Sequence, residues 1–340
     1  MTTFARIFLA FVLVATPLSG EVFAQSANAT TTSSSTPVQE QQDGGKWFRS
    51  ERIQGNIDVG DFVVGPGRAE ITVSPGETVV QEITVTNRIS DGRNFNLEVE
   101  DITGSADGTT AVSLTGNEKG PYSIKNYVSF PDKTFKLDLG ERARIPVKIS
   151  IPADAEPGGY YGSVLVSTDR TSKSEQENVS RSPVIARIGS LLFIRVRGTA
   201  DISGQTKGIK TTDGKWWYEK GPINFSIAYE NTGAVHVNPY SEVSVKNMFG
   251  EEVGYVELEP WFVLPKSLRN RDFTWDREFL FGRYTVTATV HRGYDDKTDI
   301  VKTSFWVLPW KIVLGAFAIL FIIIFGIRAF FRTFEFSRKK

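Results

Sequence analysis

The pattern of hydrophobic and polar positions divides the 340-residue chain into a short apolar start, a long alternating middle and an apolar end. From about residue 57 to residue 305, apolar and polar residues alternate with a period of two over short runs, for example at 95–100, 145–151 and 284–291. Such alternation is typical of β-strands with one buried face. No segment of this middle region has a convincing amphipathic helix pattern, so the sequence predicts an all-β fold.

Turn signals separate these runs, among them Pro75-Gly76 and Asp91-Gly92, and they give the spacing of roughly 8–12 residues that is typical of β-sandwiches. The length allows about two domains. We expect two tandem immunoglobulin-like β-sandwiches, at 57–199 and 200–307. The strands predicted in the second domain are Lys215–Tyr218, Ile223–Tyr229, Glu242–Asn247, Glu252–Leu258 and Tyr284–His291.

The apolar end of the chain predicts a transmembrane helix at 308–329. Trp310–Ala329 contains 20 residues, and its central part is uncharged. At about 1.5 Å of rise per residue this length matches a hydrocarbon core of about 30 Å. Four residues at the ends of this segment are predicted to lie at the membrane interface, as aromatic-belt or snorkelling side chains. They are Trp306, Trp310, Lys311 and Arg328.

The start of the chain predicts an exported protein. Residues 1–24 combine Arg6, an apolar run and Ala24 before the expected cleavage site, as in a signal peptide. An uncleaved anchor helix is the alternative. Residues 25–56 are rich in Ser, Thr and Gln and are predicted to form a disordered leader. With a basic cytoplasmic tail at 330–340, the positive-inside rule predicts a single-pass type I protein of the cell membrane, whose N-terminal domains are extracytoplasmic.

Composition narrows the classes of partner. The net charge is zero, but residues 328–340 carry a net charge of +4 and residues 1–24 a net charge of zero, so the remainder carries −4. An acidic exterior argues against nucleic acid as a partner. Cysteine is absent, which excludes disulfides, thiolate zinc sites and cysteine nucleophiles.

No catalytic motif occurs in the sequence, such as GxSxG, HExxH or a Walker loop. His236 and His291 lie in strand-like contexts and are predicted to be surface or turn-proximal side chains. A hydrolase would need a pair of carboxylates, for example among Asp272, Asp276 and Glu278. We predict no catalytic residues, no metal site, no cofactor and no enzymatic activity.

Aromatic clusters are the candidate ligand-binding residues: Trp216, Trp217, Tyr218, Tyr160 and Tyr161. In a strand, Trp216 and Tyr218 would share one face and Trp217 would take the other. The alternatives are core and interdomain packing or a ligand surface, since aromatic side chains are frequent at binding hot spots. Trp261 and Phe262 are a further candidate for contact with lipid.

Several segments resemble the extracellular part of WxL-interacting surface proteins. They are VSPGETVVQEITVTN (73–87), a Gly-Gly-Tyr segment (135–167), ARIGSLLFIRVRG (186–198) and YENTGAVHVNPYSEVSVKNMFG (229–250). The resemblance implies a bacterial surface protein whose first domain contacts peptidoglycan and whose second contacts partner proteins. The second domain departs from the family at 216–218 and 259–267.

These features predict a membrane-anchored bacterial cell-surface binding or scaffold protein. Its partners would be a cell-wall polymer or another surface protein, with the lipid bilayer contacted through one helix. One alternative is an accessory subunit or assembly chaperone of an envelope complex, which would donate or accept a strand at a sheet edge. Another is a membrane-tethered envelope hydrolase.

Overall fold

The computed structural model describes residues 46–116, 118–120, 122–169 and 185–333. The predicted signal peptide (1–24), residues 25–45 of the leader and most of the predicted tail lie outside the described residues. Two groups of strands, at 49–196 and 204–307, each form two sheets, and one helix follows them.

The first sandwich packs a five-stranded sheet on a six-stranded one. The first sheet contains β1 (Arg49–Arg52), β2 (Val63–Gly65), β4 (Thr78–Thr86), β7 (Val128–Ser129) and β9 (Glu141–Ser150). The second contains β3 (Arg68–Val73), β5 (Arg93–Thr103), β6 (Ser113–Leu114), β8 (Thr134–Leu137), β10 (Gly158–Asp169) and β11 (Ile185–Val196). The chain changes sheet between β2 and β3, and β3 then pairs in parallel with β11, the last strand.

Alternation along the strands builds the core of this sandwich. Ala143, Ile145, Val147 and Ile149 on β9 are all fully buried, while the residues between them face outward or are only partly buried. Burying a Val or Ile side chain stabilises a fold by about 1.5–3 kcal/mol. The period-two pattern at 145–151 therefore predicts the buried face correctly.

The structure corrects the end of the predicted leader. Phe48 is buried, and its ring lies 5.5 Å from that of Phe135. Strand β1 pairs with β9, with Arg49 opposite Arg144. Residues 46–56 therefore contribute to the first sandwich, because Trp47 and Phe48 supply apolar surface that a Ser/Thr/Gln-rich segment lacks.

The second sandwich packs a three-stranded sheet on a five-stranded one. The smaller sheet contains β12 (Gly204–Thr211), β14 (Ile223–Asn231) and β17 (Ser267–Trp275). The larger contains β13 (Trp217–Tyr218), β15 (Tyr240–Lys246), β16 (Glu252–Leu258), β18 (Gly282–His291) and β19 (Thr298–Val307). As in the first sandwich, the last strand has a parallel partner, here β13. The predicted architecture of two immunoglobulin-like sandwiches with one C-terminal apolar helix is confirmed.

Each sandwich contains one fully buried asparagine at the end of its β4 or β14 strand. The side-chain amide of Asn231 donates to the carbonyls of Val235 and Val263, both at 2.9 Å, and its oxygen accepts from the backbone N–H of Gly233. Asn87 makes the equivalent set of three bonds in the first sandwich. These amides satisfy buried backbone groups of the loops and so fix loop shape.

The helix, α1 (Trp310–Thr333), begins only two residues after β19. The backbone N–H of Leu308 donates to Tyr218 at 2.9 Å, and the Trp310 indole donates to Glu219 at 2.6 Å. Among the described residues, only α1 is long and apolar enough to cross a membrane; an 18-residue stretch of it has a mean hydropathy of 2.6 and no buried part.

Candidate functional site

Backbone hydrogen bonds join the two sandwiches along the start of β17. The N–H of Leu268 donates to Ser105 at 3.0 Å, and the N–H of Gly159 donates to Ala234 at 3.2 Å. Gly108 pairs with Arg269 as a parallel bridge. We call this contact the interdomain seam. Because its bonds connect main chain to main chain, the seam holds one sandwich in a defined position against the other.

An aromatic cluster fills the seam, formed by Tyr161, Phe193, His236 and Phe262. The Phe193 ring lies 5.0 Å from Phe262 and 5.3 Å from Tyr161, in both cases edge to face. The guanidinium of Arg269 lies 4.1 Å from the centre of the Phe262 ring. Edge-to-face pairs contribute about 0.5–1.5 kcal/mol beyond their buried area, so these rings add to the apolar contact between the sandwiches, in which Ile102 and Leu264 also take part.

The hydroxyl of Tyr161 connects the two sandwiches directly. It accepts a hydrogen bond from the backbone N–H of His236 at 2.6 Å and lies 3.0 Å from Nδ1 of the same residue. A hydroxyl can donate one hydrogen bond while it accepts another, so the Tyr161 proton can be donated to Nδ1. The Glu70 carboxylate, 3.9 Å from Nε2, favours this arrangement, in which a neutral His236 carries its ring proton on Nε2.

Burial sets the charge state of this pair. It raises the pKa of Tyr161, so the hydroxyl stays protonated at neutral pH. It also lowers the pKa of His236, and this effect exceeds the opposing attraction of the Glu70 carboxylate. The imidazole is therefore neutral at neutral pH, with its Nε2–H available as a donor.

A cleft of about 210 Å³ lies beside the seam cluster. Glu70, Thr72 and Arg195 line it from the first sandwich, and Asn238 and Tyr294 from the second, together with His236. Sites for small molecules usually have about 300–1,000 Å³, so this cleft is of a size to take a single side chain. Its walls offer both hydrogen-bond donors and acceptors.

Tyr161 does not lie on an open ligand surface. It is 1% exposed and belongs to the seam, so its packing is interdomain. Tyr160 is half-buried, with its ring 5.5 Å from Tyr127 and its hydroxyl donating to the Glu156 carbonyl. His236 was predicted near the surface, but its side chain is only 10% exposed, because the first sandwich covers it.

Trp216, Trp217 and Tyr218 lie at the opposite end of the second sandwich. Trp216 directly precedes β13 and is 70% exposed, while Trp217, on β13, is 37% exposed. Tyr218 packs on Phe305, and its hydroxyl donates to Asp213. Trp216 and Trp217 form a shallow open surface with Lys215. Ligand binding by these aromatic residues stays a prediction.

Trp261 and Phe262 lie at the seam and not at the helix. Trp261 is buried in the core of the second sandwich, and Phe262 contacts the first sandwich. The prediction that these two residues contact lipid is therefore wrong, because loop 259–266 lies at the end of the sandwich that is remote from α1.

Sequence reasoning missed Arg68, Glu70 and Phe193. The signal for Phe193 was present in the run Leu191–Ile194, which is apolar at every position. A strand with two apolar faces needs cover on both sides. Here the second cover is the neighbouring sandwich, so the run indicates the interdomain contact.

The acidic residues considered for the carboxylate pair of a hydrolase do not line a common cleft. Asp272, Asp276 and Glu278 are all exposed, and none lines the cleft beside the seam. Among the described residues, no group of three or more His, Asp or Glu side chains is placed to hold a metal ion.

No known family profile and no curated protein sequence matches this chain. Among solved structures, the class 5 fimbriae chaperone CfaA is 11% identical, with a TM-score of 0.36, over 73% of this chain and 100% of its own. The E. coli chaperone DraB is 15% identical, with a TM-score of 0.32, over 73% and 98%. The PapD-like domain 7 of human CEP192 is 12% identical, with a TM-score of 0.27, over 41% and 87%. The fold assignment given above rests on strand pairing.

Proposed function

We propose that this protein is a non-catalytic, membrane-anchored binding protein of the bacterial cell surface, which holds a partner protein at the cleft between its two sandwiches. The observation that carries the proposal is the cleft itself, built from both sandwiches and lying beside the seam. Because backbone hydrogen bonds join the sandwiches there, we expect binding to cost little ordering entropy.

The cleft chemistry favours a protein segment as the ligand. Glu70 accepts hydrogen bonds, while the Nε2–H of His236 and the guanidinium of Arg195 donate them. A peptide presents both carbonyl and N–H groups and can use such a mixed wall. The small volume admits one inserted side chain and leaves the rest of a partner on the surrounding surface, as at protein interfaces with a central anchor.

Topology supports the same function. The predicted signal peptide at 1–24, helix α1 and the basic tail at 330–340 favour a type I orientation, in which both sandwiches would lie outside the cytoplasm. Protease added to spheroplasts should then cleave the sandwiches of the full-length protein. Complete protection of residues 46–306 would contradict this orientation.

The experiment that tests the partner site is photo-crosslinking of the full-length protein in intact cells. A photoreactive amino acid replaces Thr72 or Asn238 in the cleft. Lys148, exposed on the first sheet, serves as the matched control. We expect a discrete protein adduct from the two cleft positions and none from Lys148. Equal labelling from all three positions, or none from the cleft, would overturn the proposal.

A second candidate function is strand addition to a partner, as in an assembly chaperone. Strand β19 pairs with β18 along its whole length, but on its other side β13 pairs only with Trp306 and Val307 within the described residues. Near the start of β19, strand β12 lies against it, and the backbone N–H of Thr206 donates to the Asp299 carboxylate at 2.8 Å. Between these two contacts the edge of β19 has no strand partner among the described residues, and such an edge can accept a peptide strand. Ile300, on the outer face of this part of β19, is exposed. A photoreactive amino acid at Ile300 would give an adduct with a partner under this candidate and none under the first.

Contact of the first sandwich with peptidoglycan stays a prediction that rests on the sequence resemblance. Sedimentation of the protein with purified cell walls tests it separately. Loss of sedimentation after wall digestion would support wall binding, and absence of sedimentation would leave the partner protein as the sole ligand of the proposal.

A further inference from the structure

Exposed large apolar side chains are unevenly distributed over the two sandwiches. Among its described residues, the first sandwich exposes four, none of which is aromatic: Val59, Val63, Val80 and Leu114. The second exposes ten, and seven of these lie at one end of it. The seven, which we call the collar, are Trp216, Trp217, Met248, Phe249, Phe279, Phe281 and Trp306; the other three are Tyr240, Tyr255 and Ile300.

Strand register shows that the collar lies at the end from which α1 leaves. Gly282, at the start of β18, is opposite Val307, at the end of β19. The loop 276–281 therefore extends past the end of the sheet on the side of α1. Trp217 pairs with Trp306, and the backbone N–H of Trp306 donates to Trp216 at 2.8 Å. These contacts place the loop before β13 at the same level.

The loop 247–250 reaches the same end. Met248 packs against Gly282, where its methyl carbon would lie 2.8 Å from an added Cβ. Phe249, next along this loop, is 81% exposed. Three separate loops and the end of β19 thus present aromatic or large apolar side chains on one surface. Single exposed apolar residues are ordinary, but a contiguous group of this size marks an interaction surface.

The connection to α1 determines what can cover this surface. Only Leu308 and Pro309 lie between β19 and α1, so the end of β19 cannot be farther than about 10 Å from the start of the helix. Hydrogen bonds from Leu308 to Tyr218 and from Trp310 to Glu219 hold this junction in place. The interfacial layer on each side of a bilayer is about 5–8 Å thick. A bilayer that contains α1 therefore meets the collar first.

We propose that the collar inserts into the interfacial layer of the same bilayer that α1 crosses, and thereby holds the second sandwich upright on the membrane with its cleft directed away from it. This inference rests on the proposed membrane anchoring by α1. Tryptophan and phenylalanine suit this role, because aromatic side chains partition into the interfacial layer.

Electrostatic attraction to anionic lipid is not expected to drive insertion of the collar. Six basic residues flank the collar residues along the chain: Lys215, Lys220, Lys246, Arg277, Arg283 and Lys311. Six acidic residues flank them as well: Asp213, Glu219, Glu251, Glu252, Asp276 and Glu278. Because the two sets cancel, collar insertion needs no anionic lipid, and it should not weaken as salt rises.

The test uses the full-length protein in nanodiscs of phosphatidylcholine. The chain has no cysteine, so each single-cysteine variant carries one site for an environment-sensitive fluorophore. Phe249→Cys and Phe279→Cys report on the collar. Tyr240→Cys and Ile300→Cys are matched controls at exposed apolar positions of the same sandwich, and Ile319→Cys reports on α1. Each label is exposed to aqueous iodide and, separately, to a lipid-attached nitroxide.

We expect the collar labels to lose iodide quenching and to gain nitroxide quenching relative to both control labels, at low and at high salt. If the Ile319 label is quenched by the nitroxide but the collar labels behave as the controls do, the collar inference fails and the anchor stands. If the Ile319 label is itself accessible to iodide, the membrane anchoring fails. Collar protection that also appears in detergent without lipid would indicate a protein contact and overturn the inference.

A second variant separates the collar from the helix. Phe249→Ser, Phe279→Ser and Phe281→Ser together change only exposed side chains, so the sandwich should still fold. In this background a label at Trp216 should regain iodide quenching, while the Ile319 label should be unchanged. A Trp216 label that stays protected would contradict a collar that acts as a unit.

Discussion

The two ends of the second sandwich carry similar side chains in opposite environments. At the seam end, Trp261 is buried and Phe262 packs against Phe193 of the first sandwich. At the helix end, Phe249 and Phe279 project into open space, 81% and 69% exposed. Both sets lie on loops between strands, so the difference comes from what each loop faces.

This difference teaches how to interpret aromatic residues on loops of a sandwich. At the seam the partner is another part of the same chain, and the aromatic side chains stabilise the fold. At the helix end no other described part of the chain covers them, and their contribution is expected only when a bilayer is present. Stability measurements in the absence of lipid should therefore separate the two ends sharply.

The largest expected effect comes from paired Phe→Ala substitutions at the two ends. Phe193→Ala removes a ring that is 1% exposed and contacts Tyr161, His236 and Phe262. We expect it to lower the free energy of unfolding by about 3–5 kcal/mol. Phe249→Ala should change the free energy of unfolding by less than about 0.5 kcal/mol, because the Phe249 side chain is exposed and makes few contacts.

Urea unfolding of the full-length protein in detergent, followed by circular dichroism, measures both variants. Equal losses of stability at the two positions would mean that the helix end is packed in solution, which would contradict the comparison.

A second pair compares asparagines that support loops at the two ends. Asn231→Ala removes the partners of three buried backbone groups at the seam end, for an expected loss of about 2–4 kcal/mol. Asn247, at the helix end, accepts from the N–H groups of Phe249 and Glu251 in an exposed loop. Asn247→Ala should cost about 1 kcal/mol or less, since water can replace its bonds. Thermal unfolding of the two variants side by side measures the difference, and a larger loss for Asn247→Ala would be contrary to the structure.

Period-two alternation predicts most of the strands well, because each sandwich buries one face of each sheet. It fails for β17, where Arg269–Asp272 is polar at every position. That part of the strand lies at the seam, where Arg269 stacks on Phe262 and the backbone pairs with the first sandwich. Tertiary contacts that are distant in sequence leave no local pattern to detect.

The candidate site is less predictable than the fold for the same reason. Tyr161 and His236 are 75 residues apart, and neither sequence context indicates that they form a hydrogen bond. The aromatic residues at 216–218 and 160–161 can be found from the sequence. Which of them faces another domain and which faces open space depends on how the sandwiches pack.

A smaller effect is expected from Tyr161→Phe. The change keeps the ring in the aromatic cluster but removes the oxygen that accepts from the backbone N–H of His236 and donates to Nδ1. Leaving these groups without a partner should cost about 1–3 kcal/mol. Tyr160→Phe is the matched control, since its hydroxyl bonds only to a carbonyl at a half-buried position. Differential scanning calorimetry measures the stability of both variants. Equal losses of stability would mean that the Tyr161 hydroxyl does not stabilise the seam more than an ordinary half-buried hydroxyl would.

The smallest expected effect is a dependence of stability on pH that belongs to the seam end alone. Burial holds the pKa of His236 below its usual 6.5, and the charged groups that face it are Glu70, Arg68 and Arg195. The unfolded chain therefore binds a proton more readily than the folded one as pH falls below 6.5. The contribution of His236 to the free energy of unfolding should be constant above pH 6.5 and should fall as the pH is lowered below 6.5.

His236→Asn isolates this contribution. The asparagine oxygen can accept from the Tyr161 hydroxyl as Nδ1 does, but the side chain does not titrate. Urea midpoints measured from about pH 8 to about pH 5.5 should fall more for the native protein than for the variant, because only the native protein takes up this proton on unfolding. Carboxylates with ordinary pKa values stay ionised over this range and contribute equally to both proteins. Parallel curves would mean that His236 titrates alike in the folded and the unfolded protein, which would contradict the effect of burial on its pKa.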